Sequence, residues 1–133
     1  MKTILFVCVH NAGRSVMAEA FFNDLLRGSH LHGISAGTIP QQAPHAEVVE
    51  AMAEVGIEVS GHRGRLLDDA LVSSAERVIT MGCAVDEGTC PAIRFADVED
   101  WGLPDPKGQP MERVREIRDE VRARVEALLT ELG

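Results

Sequence analysis

Ile4-Leu5-Phe6-Val7-Cys8-Val9-His10-Asn11-Ala12-Gly13-Arg14-Ser15 is the stretch whose reading decides the fold. Ile4 to Val7 is an apolar run without polar alternation, the pattern of a strand buried on both faces of a parallel sheet. The run ends on Cys8, turns through small and polar residues, and enters a helical pattern at Arg14. A strand–turn–helix of this kind gathers backbone N–H groups and the positive end of a helix around one point. Such a point binds an oxyanion and favours a thiolate over a thiol. A thiol and an anion cradle in one loop predict a thiolate that attacks a phosphate-like anion.

Each residue of the loop has a part in that chemistry. Val9, His10, Asn11, Ala12 and Gly13 supply the peptide cradle. Arg14 can grip a tetrahedral oxyanion through two parallel hydrogen bonds, which Lys cannot copy. Ser15 can donate to the Cys8 sulfur. Asn11 and Gly13 tolerate left-handed backbone angles, which a tight loop commonly requires. His10 reads as loop scaffolding, and His45 and His62 as surface residues.

Working outward, strand one covers about Thr3–Cys8, and a helix with an apolar face runs from Arg14 to Arg27, where Gly28 ends it. Leu31–Ser35 reads as the second strand, closed by Ala36-Gly37. Pro44 suits a first helical turn, Val48, Val49, Met52 and Val55 line the second helix, and Gly56 stops it. Asp68 is placed to cap a short helix over Ala70–Ser74. Arg77–Met81 is a third strand, and Ile93–Val98 contains a fourth. Pro104-Asp105-Pro106 is a loop, because proline breaks a helix interior. Val114, Ile117, Val121, Val125, Leu128 and Leu132 recur every three or four residues, so Met111–Leu132 is a long amphipathic helix. Its Arg and Glu residues read as a solvated face.

The predicted fold is α/β, with a single domain over residues 1–133 and a four-stranded parallel sheet flanked by helices. A chain of 133 residues suits one core. In such sheets the ligand sits beyond the carboxyl ends of the strands. Cys8 ends strand one, Cys83 follows strand three and Asp105 lies in the loop after strand four, so the topology gathers them on one edge.

The formal net charge of −8 argues against general nucleic-acid binding. No transmembrane run is present, and Ile4–Val9 is too short for a signal-peptide core, so the expected location is the cytoplasm. A structural disulfide is not expected there, and thiols in that setting tend to be catalytic, redox-active or metal-bound. The spacing of Cys83 and Cys90 is wider than a zinc knuckle uses, and no His lies near the pair in sequence. No metal and no cofactor are expected.

An oxidised or adduct-bound Cys8 needs a second thiol to release it. Cys83 is the nearer candidate by strand position, and Cys90 can then carry the oxidising equivalent to the surface. Asp105, stiffened by Pro104 and Pro106, is placed to act as a general acid toward a leaving oxygen.

Cys8-Val-His-Asn-Ala-Gly-Arg14-Ser15, Ser35-Ala36-Gly37 and Asp105-Pro106 resemble the low-molecular-weight protein tyrosine phosphatase superfamily over nearly the whole chain. Cys83 and Cys90 add a likeness to its arsenate reductases of the thioredoxin-coupled type. The resemblance implies that Cys8 attacks arsenate while Asp105 protonates the departing oxygen. Cys83 would then release arsenite and leave a Cys8–Cys83 disulfide, Cys90 would convert it to Cys83–Cys90, and thioredoxin would reduce that bridge. A monomer is expected. Asn11, Glu19 and Ser35 match a potassium site of some members, but Arg65 stands where a carboxylate ligand would align, so no potassium is expected. Two alternatives follow from the same residues. One is a protein tyrosine phosphatase, although Lys107-Gly108-Gln109 lacks the aromatics that stack phosphotyrosine. The other is a non-catalytic redox sensor or oxyanion-binding regulator.

Overall fold

The computed structural model describes residues 2–26, 30–82 and 98–132. In chain order these form β1 (Lys2–Cys8), α1 (Arg14–Leu25), β2 (Leu31–Gly37), α2 (Ala46–Ala53), α3 (Asp69–Ser74), β3 (Ala75–Thr80), β4 (Val98–Asp100) and α4 (Met111–Leu132). The strands make one sheet in the order β2-β1-β3-β4, and every pairing is parallel.

The central place of β1 explains its unbroken apolar run. Ile4, Phe6 and Cys8 face a core built with α1, α2 and α4, where Phe21, Phe22, Met52, Ile117 and Val121 meet them. Leu5 and Val7 face the opposite core, with Ala36, Leu67, Val72 and Val78. A strand with both faces buried has no place for polar alternation.

Several boundaries differ from expectation for identifiable reasons. β2 continues through Gly37, because Gly37 pairs with Cys8 and exchanges backbone bonds with Arg65 and Leu67. Pro44 precedes α2 rather than opening it, and His45 is the N-cap. Asp68 caps α3 as expected, accepting the Leu71 N–H at 2.8 Å. β3 starts two residues earlier than expected and ends one earlier, at Thr80, although the Met81 N–H still reaches the Val7 carbonyl at 2.9 Å.

The largest correction is β4, which lies at Val98–Asp100 instead of ending at Val98. An edge strand can be polar when its charges are paired. Glu99 accepts from Arg77 and from the Trp101 indole, and Asp100 accepts the Thr80 hydroxyl. Residues 93–97 of the expected strand lie outside the described residues, as do Arg27 and Gly28. α1 ends at Leu25, short of the expected Arg27, because Leu26 already has extended backbone.

α4 has the expected bounds, but not all of its arginines are solvated. Arg118 is 8% exposed and donates to the Ala51 carbonyl at 3.0 Å and to Glu54 at 2.9 Å. It thereby ties α4 to the C-terminal end of α2.

Candidate functional site

The loop from Cys8 to Arg14 joins β1 to α1 at the carboxyl edge of the sheet. Its carbonyls are held outward: Val9 accepts from Ile39 at 2.8 Å, His10 from Gln41 at 2.9 Å and Ala12 from His45 at 2.9 Å. Across a trans peptide the N–H points opposite to the C=O. The N–H groups of His10, Asn11 and Gly13 therefore face away from the outer 38–45 segment, which is the arrangement an anion cradle needs. Asn11 supplies the left-handed residue, at φ 47°. Gly13 does not, since its φ is −138°. Gly13 answers a demand for space instead: an added Cβ would lie 3.3 Å from Pro106 Cγ and 3.4 Å from His45 Cδ2.

Gly37 makes a similar close approach from the neighbouring strand. A Cβ there would lie 2.5 Å from the Val9 carbonyl oxygen and 2.9 Å from the Asn11 nitrogen. Because those atoms are backbone, any side chain at position 37 would have to displace the loop.

Cys8 is buried, and its sulfur lies 2.8 Å from Ser15 Oγ. The direction of this bond follows from its neighbours. The Arg65 backbone N–H donates to Asn11 Oδ1 at 2.9 Å, which fixes the Asn11 amide. Asn11 Nδ2 then donates to Ser15 Oγ at 2.8 Å. The serine hydroxyl, already accepting, is free to give its single proton to a Cys8 thiolate.

His62 belongs to this network, contrary to the expectation of a surface residue. Its Nε2 lies 3.1 Å from Asn11 Oδ1, and because that oxygen can only accept, Nε2 is the donor. Its Nδ1 lies 3.9 Å from Glu19, whose other oxygen accepts the Ser35 hydroxyl at 2.7 Å. Sequence position gave no sign of this, because the contact spans 51 residues. His45 also leaves the surface class, as cap of α2 and neighbour of His10, with ring centroids 6.5 Å apart.

Burial pushes both His62 and His45 below the ordinary imidazole range, against an opposing pull from Glu19 and Asp105 respectively. The folded protein thus holds them neutral at pH values where the unfolded chain would protonate them. Their depressed values mean that stability is fullest above about pH 6.5 and is lost as pH falls below it. Urea midpoints at pH 7.5 and 5.5 check this. The drop is expected to be smaller in His62→Gln, whose amide can still donate to Asn11.

Arg14 reaches across the sheet edge. Its Nη1 donates to the Met81 carbonyl at 3.1 Å and the Leu103 carbonyl at 2.8 Å. This leaves Nε and Nη2 for a ligand. Asp105 is exposed, with Oδ1 accepting the Lys107 N–H at 3.0 Å. The structure therefore brings Cys8, Arg14, Ser15 and the Asp105 loop to one edge. Cys83 and Cys90 lie outside the described residues. Among the described residues, no group of three or more His, Cys, Asp or Glu side chains is arranged to hold a metal ion. No helix among them is long and apolar enough to cross a membrane.

The family described as "Low molecular weight phosphotyrosine protein phosphatase" matches residues 3–133. A Halobacterium salinarum relative named "Putative arsenate reductase" is 42% identical over 132 residues, covering 96% of this chain and 91% of its own. "Arsenate reductase 2" of Staphylococcus haemolyticus is 34% identical over 130 residues, covering 97% of each. Among solved structures, an arsenate reductase in the phosphate binding state superposes with a TM-score of 0.82 at 33% identity, over 100% of both chains. A thioredoxin-dependent arsenate reductase of Corynebacterium glutamicum gives 0.78 at 33% identity, over 98% of this chain and 61% of that one. An arginine phosphatase from Geobacillus stearothermophilus gives 0.81 at 28% identity, over 99% of this chain and 93% of that one.

Proposed function

We propose that this chain, which belongs to the low molecular weight phosphotyrosine protein phosphatase family, reduces arsenate to arsenite and is recycled by thioredoxin. The observation that carries the reading is the Cys8 sulfur, 2.8 Å from Ser15 Oγ, inside an anion loop. Relatives named arsenate reductases at 34–42% identity support the substrate, and a thioredoxin-dependent one supports the electron donor. The acidic cradle-bearing chain is a cytoplasmic monomer in this reading.

The peptide N–H groups of residues 9–13 and the Arg14 guanidinium hold the oxyanion. The Cys8 thiolate attacks arsenic, Ser15 steadies the sulfur before attack, and Asp105 gives a proton to the departing oxygen, which leaves as water. Cys83 then attacks the Cys8 sulfur of the adduct. The sulfur–arsenic bond breaks, its electron pair stays on arsenic, and arsenite departs. Two thiols have become one disulfide, which balances the two electrons that arsenic gains. Cys90 displaces Cys8 from Cys83, and thioredoxin reduces the resulting bridge.

The division of labour between Cys83 and Cys90 is tested by peptide mapping after one equivalent of arsenate. Wild type is expected to carry Cys83–Cys90, and Cys90→Ser to trap Cys8–Cys83. Cys83→Ser is expected to block repeated arsenite release while sparing hydrolysis of a small phosphate ester. Free Cys83 and Cys90, with steady turnover on a monothiol alone, would count against the relay. That result would favour the phosphatase reading, which needs only Cys8, Arg14 and Asp105.

A further inference from the structure

We propose that Glu47 is a positioning residue that holds the Asp105 loop over the anion loop by accepting the Gly108 N–H. The inference rests on the role of Asp105 given above.

The 105–109 segment is shaped by bonds of its own. Asp105 accepts from the Lys107 N–H at 3.0 Å, and the Gln109 N–H returns to the Pro106 carbonyl at 3.1 Å. Gly108 sits at φ 73°, a conformation that suits glycine. These bonds fold the loop but fasten it to nothing else. The Leu103 N–H, given to the Met81 carbonyl at 2.9 Å, anchors the chain that leads into it, and two side-chain contacts hold it on either side. In front of Asp105, Arg14 Nη1 holds the Leu103 carbonyl at 2.8 Å. Behind it, Glu47 Oε2 holds the Gly108 N–H at 3.0 Å. Between the two, Pro106 lies against Gly13, where a Cβ would stand 3.3 Å from its ring.

Glu47 is well placed for this work. It lies in the first turn of α2, whose cap, His45, donates its backbone N–H to the Ala12 carbonyl of the anion loop at 2.9 Å. One helix end therefore grips both loops, the nucleophile's through His45 and the acid's through Glu47. The bonds from Glu47's own N–H and from Gly108 hold its carboxyl below the usual range. An ionised acceptor makes a bond about twice as strong as a neutral one. Asp105 itself is exposed, and its carboxylate is held within the loop by the Lys107 N–H at 3.0 Å. A misplaced acid is costly, since an error of about 1 Å can lower a rate about 10²-fold.

The test uses the reduced full chain in single turnover, following arsenate-dependent loss of thiols, together with the exchange rate of the Gly108 amide by NMR. Glu47→Ala is expected to slow the reaction by about 10-fold or more, to leave phosphate affinity unchanged and to speed Gly108 exchange. Glu47→Gln, whose amide oxygen still accepts, is expected to restore most of the rate. In an Asp105→Asn background, Glu47→Ala is expected to add no further slowing. Additive slowing in the double variant, a wild-type rate in Glu47→Ala, or unchanged Gly108 exchange would each overturn the tether. A wild-type rate in Asp105→Asn is a different failure, because it removes the acid assignment on which the tether depends.

Discussion

Cys8→Ser is expected to abolish arsenate reduction outright while leaving the fold and anion binding in place. Two separate reasons converge. A serine hydroxyl is a far weaker nucleophile than a thiolate, which even unperturbed thiols supply at a few per cent at neutral pH. More decisively, a hydroxyl cannot enter a disulfide, so one of the two thiols that give electrons to arsenic is gone. The variant keeps what binds the anion, since peptide N–H groups and Arg14 do that work. It also keeps the core, because Cys8 sits at the end of β1 with the Ser15 hydroxyl 2.8 Å away, a partner that a second hydroxyl can use. Arsenate-dependent NADPH oxidation with thioredoxin and its reductase checks the first claim, and phosphate titration checks the second. Reduction by a well-folded Cys8→Ser protein would exclude Cys8 as the nucleophile.

What could be read from the residues follows how far each signal reaches along the chain. The apolar run before Cys8 announced β1 because both of its faces are buried. The three-to-four repeat from Val114 announced α4 to its bounds. The Cys8–Ser15 contact was legible because the loop is local, its two ends only seven positions apart. What stayed hidden is long-range and polar. β4 carries no apolar run, since Glu99 and Asp100 are satisfied by Arg77 and Thr80 on the neighbouring strand and by the adjacent Trp101 indole. His62 reaches Asn11 across 51 residues, and Glu47 reaches Gly108 across 61. Neither side chain looks unusual where it stands in the sequence. The same holds for Arg118, which reads as one more charge on a solvated face until the Ala51 carbonyl is placed beside it.

Arg14→Lys should lower kcat/KM by about 10²–10³-fold, the range seen when an oxyanion loses one preorganised donor. The geometry makes the exchange worse than a change of shape. Arg14 has two tasks at once. Nη1 holds the Met81 and Leu103 carbonyls, at 3.1 and 2.8 Å, and only Nε and Nη2 remain for the anion. A planar fork can divide its donors in this way, whereas an ammonium carries all three on one nitrogen. A lysine that turns to the anion either keeps both carbonyls and offers it a single donor or lets a carbonyl go, and the Leu103 carbonyl lies just ahead of Asp105. Anion affinity or the acid loop is then disturbed. Gly82 offers an independent check on the same placement. It sits at φ 150°, and a Cβ there would lie 2.7 Å from Arg14 Nη1. Gly82→Ala pushes the guanidinium without removing it and is expected to reproduce part of the loss, with KM for arsenate raised. Phosphate affinity and steady-state kinetics on both variants measure the effect, and stability should change little in Arg14→Lys. Near-normal kcat/KM in Arg14→Lys would mean that the backbone cradle alone holds the oxyanion.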